Sequence, residues 1–86
     1  MSVEEVKATL RDGDLALDHA TAAIERIRAD LAEAAGLAVA TLQDSRNTNA
    51  EKARRALAEA VREVDLTLRT IGRAKDHAAA FRTALG

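Results

Sequence analysis

The chain has 86 residues, no cysteine, no proline and a formal net charge of −1. Without cysteine, disulfides, thiolate metal sites and thiol catalysis are excluded. The near-neutral charge gives no bulk attraction to nucleic acid or an anionic membrane. This length is one domain, residues 1–86. Proline breaks helices and glycine weakens them, so the lack of proline and the presence of only four glycines favour long unbroken helices. Alanine, the best helix former, is abundant. Phe81 is the one aromatic side chain, so packing must come from Leu, Ile, Val and close-set Ala.

The first helix is marked at its start. Ser2 and Glu5 have capping-box spacing, and Met1 and Val6 are placed as a hydrophobic staple. A heptad follows, with Val3, Leu10, Leu17, Ile24 and Leu31 at position a. Val6, Gly13, Ala20, Ile27 and Ala34 stand at position d. Such a sustained repeat predicts a coiled-coil-like a/d seam. Asp12-Gly13-Asp14 reads locally as a turn, but the register does not slip across it, so a continuous helix, bent at Gly13, is expected. The helix covers about residues 3–36, or runs on with a distortion past Gly36 to about Gln43. A polar connection occupies about residues 44–48.

Thr48 and Glu51 repeat the capping-box spacing and predict a second helix over about residues 49–85. Its apolar seam reads Leu57, Val61, Val64, Leu68, Ile71, Ala74, Ala78, Phe81 and Leu85. An extra three-residue step from Ile71 to Ala74 predicts local overwinding. Two helices of matched length with a short connection predict an all-α antiparallel hairpin. Residues 1–49 carry five basic and nine acidic side chains, and residues 50–86 carry eight and five. That asymmetry suits an antiparallel pairing of the two halves.

A two-helix hairpin is thin, and some apolar residues fall outside both seams. Leu15 and Leu66 lie away from them, and Ala16 and Ala23 at position g widen the first stripe beside Ala20. These five form the expected association surface. Its occupant is a second copy, making a four-helix bundle, or another helical protein. Lys52, Arg55, Arg62, Arg69 and Arg73 fall on one arc opposite the second seam, a candidate grip for a polyanion. Glu59 and Glu63 beside them, and the lack of aromatic side chains to stack on bases, argue for a solvated face instead.

The remaining chemistry is weak. His19 and His77 each sit in Asp-His-Ala, but bundle metal sites use Glu-x-x-His spacing, which is absent. Asp12-Gly13-Asp14 lacks the glycine and glutamate that a calcium loop needs downstream. There is no glycine-rich phosphate loop or nucleophile elbow. The expectation is a non-catalytic protein with no cofactor and no metal. The acidic start, Ser2-Val3-Glu4-Glu5, has no apolar signal core, and no apolar run reaches the ~20 residues of a membrane span, so a cytoplasmic location is expected.

In outline, two long helices in under 100 residues, the chain resembles the WxG-motif family of type VII secretion substrates, helical hairpins that dimerise into four-helix bundles. Their Trp-x-Gly turn and C-terminal Tyr-x-x-x-Asp/Glu are absent here. The tip reads Gln43-Asp44-Ser45-Arg46-Asn47 and the end Phe81-Arg82-Thr83-Ala84-Leu85. The opening Ser2-Val3-Glu4-Glu5-Val6-Lys7-Ala8 is similar to that of small uncharacterised actinobacterial helical proteins. A further alternative is a small-molecule-binding accessory protein of secondary metabolism, with an apolar ligand held between hairpins where Gly13 and Ala20 leave room.

Overall fold

The structure, a computed structural model, describes residues 1–86 as two helices, α1 (Val3–Leu42) and α2 (Thr48–Leu85), packed against each other. The hairpin measures 63 × 16 × 16 Å. α1 is continuous through Gly13 and Gly36, neither of which interrupts it. Ser2 caps it as expected, its hydroxyl accepting the Glu5 N–H at 3.1 Å. The cap of α2 differs from expectation: it is Asn47, not Thr48, whose side-chain oxygen accepts the Asn49 N–H at 2.7 Å. Asparagine caps better than threonine, and Glu51 is drawn away to Arg54 and Arg55.

The tip is held by Arg54. One guanidinium nitrogen donates to the Leu42 carbonyl at 2.6 Å, and the other meets Glu51 at 2.6 Å. A helix C-terminus leaves its last carbonyls without partners, and Arg54 supplies one across the turn. Ala50, one turn before it on α2, is 8% exposed and the one buried residue of the chain.

The seam is rotated from the one expected. The shielded side chains of α1 include Leu10, Asp14, Leu17, Thr21, Ile24, Arg28, Leu31, Ala35, Ala38 and Leu42, which occupy positions a and e. At position d, Gly13, Ile27 and Ala34 are exposed, whereas Val6 and Ala20 are half-buried. On α2 the corresponding line is Ala50, Arg54, Leu57, Val61, Val64, Leu68, Ile71, Lys75, Ala78, Arg82 and Leu85. It alternates four- and three-residue steps without a slip. The overwound step is therefore absent: Lys75 and Arg82 take the seam positions, and Ala74 and Phe81 face outward.

Charge explains the choice. Asp14 meets Arg82, Asp18 meets Lys75, and Arg28 meets Asp65 across the two helices. Two of the three pairs join an acid of α1 to a base of α2. Residue i of α1 lies level with about residue 93 − i of α2, as Arg28–Asp65, Asp18–Lys75 and the Lys7 ammonium on the Gly86 carbonyl show. Exposed pairs add little energy, but a row of them sets register.

Candidate interaction face

Letter the α2 line as the α1 line, with Leu57, Val64 and Ile71 at a and Val61, Leu68 and Lys75 at e. In an antiparallel pair, equal letters on the two helices fall on the same side. The ion pairs use positions e and b on both helices, so they line one side of the hairpin. Positions d and g line the other.

That other side reads as a second heptad on each helix. On α1 it runs Val6, Gly13, Ala20, Ile27 and Ala34 at d, with Ala16, Ala23, Asp30 and Leu37 at g. On α2 it runs Ala53, Ala60, Thr67, Ala74 and Phe81 at d, with Ala56, Glu63, Thr70, His77 and Ala84 at g. No inter-helix ion pair crosses it. Its large apolar members stand open: Ile27 is 50% exposed, Leu37 62% and Phe81 51%. The only charged side chains on it are Asp30 and Glu63, which are level with each other.

The expected association residues are thus split. Ala16, Ala20 and Ala23 lie together on the d/g face. Leu15, at f, lies toward the opposite rim, and Leu66 projects from the back of α2, away from α1; both are exposed. Sequence reasoning missed Ile27 and Phe81 as surface residues because both were assigned to the seam. The signal was present as a third apolar stripe, at g, beside a and d.

Lys52, Arg55, Arg62, Arg69 and Arg73 do share one exposed arc on α2. Arg55 is paired with Glu51 at 3.1 Å, and Glu59 and Leu66 interleave with the rest. His19 projects from the back of α1, whereas His77 is on the d/g face, so the two do not converge. No group of three or more His, Cys, Asp or Glu is gathered as a metal site. The hairpin on its own has no pocket, and no helix is long and apolar enough to cross a membrane.

Titration is perturbed at the paired rim and the tip. Hydrogen bonding to Arg28, and the Arg28 charge, hold the Asp65 carboxyl below its ordinary value. Arg54, by hydrogen bond and charge, does the same to Glu51, helped by Arg55. The hydrogen bond to Asp18 raises Lys75. These groups all serve the hairpin itself.

In comparison with known proteins, no family model matches the chain, and neither a curated protein nor a solved structure matches it.

Proposed function

We propose that this is a non-catalytic helical interaction protein whose working form is two hairpins joined through their d/g faces as a four-helix bundle. The direction of the apolar stripe on α1 carries the reading. Positions a and d bisect at about 50° from the a/e line that faces α2, at ~100° per residue. In a two-helix object that offset wastes Ile27 and Ala34. In a square bundle it aims the stripe at the central axis, between α2 and a helix of a second layer.

The exposed area supports the same conclusion. The chain exposes 6325 Å² at 9.2 kDa. A compact monomer of that mass would expose about 4,900 Å², leaving an excess of about 1,400 Å². A standard interface takes about 800 Å² from each partner, and obligate dimers take more. A second copy supplies a face of matching length and matching small side chains, so the occupant is a second copy.

The test compares adjacent alanines. Ala23 is at g on the face and Ala22 at f behind it, both exposed on the same helix. Ala23→Glu should convert the dimer to monomer in light scattering, while Ala22→Glu and Leu66→Glu should leave it intact. Equal behaviour of the two alanine variants would refute the face.

The exposed Arg55, Arg62, Arg69 and Arg73 arc supports a second reading, polyanion binding on the outside of such a dimer. Binding to a duplex oligonucleotide that weakens steeply with salt would establish it, and none at low salt would dismiss it.

A further inference from the structure

We infer that the two hairpins of the dimer lie antiparallel, tip to open end, with His77 of each set against Glu63 of the other. This rests on the self-association reading above and adds the arrangement of the partner.

Two closed two-fold arrangements bring the d/g faces together. With the two-fold along the hairpin axis, the tips lie side by side and α1 covers the partner's α2. Each level then meets itself. Asp30 and Glu63 share a level, so four carboxylates would gather at one height with no cation among them. Like charges brought together in a partly dried interface are costly.

With the two-fold across the hairpin axis, the tips point opposite ways, α1 covers the partner's α1, and α2 covers the partner's α2. Full overlap puts the axis near the middle of α1, which spans Val3–Leu42. Ala23 then meets its own copy. By the level rule Ala23 stands beside Thr70, so Thr70 meets its own copy at the same height. One two-fold therefore passes through both stripes in step. The remaining partners follow from the spacing. Taking the nearest residue on the stripe, Ile27 comes against the partner's Ala20 and Phe81 against the partner's Ala60, each within one residue of level, and Leu37 meets the partner's Thr9. Each large side chain lands on a small one, which is what close packing needs.

The same register settles the charges. Counting outward from Thr70, seven residues in either direction reach His77 and Glu63. The two are thus opposite each other across the α2–α2 contact, twice per dimer. An imidazole N–H donates to a carboxylate in either charge state of the ring. Around that contact the hairpin itself places Arg73 one turn back along α2 and Ala16 of α1 level with His77. Asp30 then faces the partner's Ala16 rather than a second carboxylate. The antiparallel arrangement separates the acids that the parallel one would pile together.

A single label tests this, because the chain has no cysteine of its own. Arg46 lies in the exposed connection. Arg46→Cys carrying a nitroxide should give a label–label distance of roughly 60–70 Å across the antiparallel dimer, at ~1.5 Å per residue. A distance below about 30 Å means tips together and overturns the arrangement while self-association stands. A mass of 9.2 kDa with no dipolar coupling overturns self-association itself. The contact is tested by charge exchange. His77→Glu should weaken the dimer by about tenfold or more, and adding Glu63→His should recover most of that loss. A His77→Glu dimer as tight as the parent would overturn the His77–Glu63 contact.

Discussion

Arg54 does at one residue what the connection cannot do for itself. The turn from Leu42 to Asn47 is short, and its own bonds are few: Ser45 N–H to the Leu42 carbonyl at 2.9 Å and Asn47 N–H to the Ser45 hydroxyl at 3.2 Å. Arg54 joins the end of α1 to the first turns of α2. Arg54→Ala should cost about 1 kcal/mol for the lost carbonyl bond. It should lower the thermal midpoint by several degrees, read by circular dichroism at fixed concentration. Gly36 offers the converse. It is helical, and a Cβ built there meets nothing within 4 Å. Gly36→Ala should therefore stabilise α1 by about 0.5–1 kcal/mol. A lower midpoint for Gly36→Ala would mean that the residue serves a contact outside the hairpin.

Along the two helices, the paired rim makes stability respond to pH. Asp65 and Glu51 titrate lower in the folded hairpin than unfolded. Their contribution is therefore complete above the ordinary carboxylate range, about pH 4, and is lost as pH falls through the folded values. Lys75 is raised, so its contribution is complete at neutral pH and is lost only as strong alkali removes the proton. The midpoint should be flat near neutrality and fall in acid, and Asp65→Asn should lower the neutral value and flatten the fall. A midpoint that rises on acidification would contradict this. The same charges explain what the sequence hid. Two helices, their antiparallel pairing and the Ser2 cap were legible, because periodicity and capping are local. The phase of the seam was not. Apolar content favours position d over e on α1, with Ile27 and Ala34 against Thr21 and Arg28. The pair alone uses e, because Asp14, Arg28, Lys75 and Arg82 find partners there. Ala74 and Phe81 misled for the same reason: they are apolar but exposed, outside α2's contact with α1.

At the scale of the whole molecule, the hairpin is half of the proposed dimer. A chain with one buried residue in 86 has little to hold it against the entropy of unfolding. In the proposed dimer its d/g stripes face the second hairpin. Stability should therefore depend on protein concentration, as mass action requires when folding and assembly are linked. Thermal midpoints should rise with dilution reversed, by the same increment for the parent and for Ala22→Glu, and should lose that dependence in Ala23→Glu. The most direct measurement is the solution mass by light scattering behind size exclusion across a wide concentration range. The proposed dimer has twice the 9.2 kDa chain mass. A fully helical species of 9.2 kDa at every concentration would contradict it.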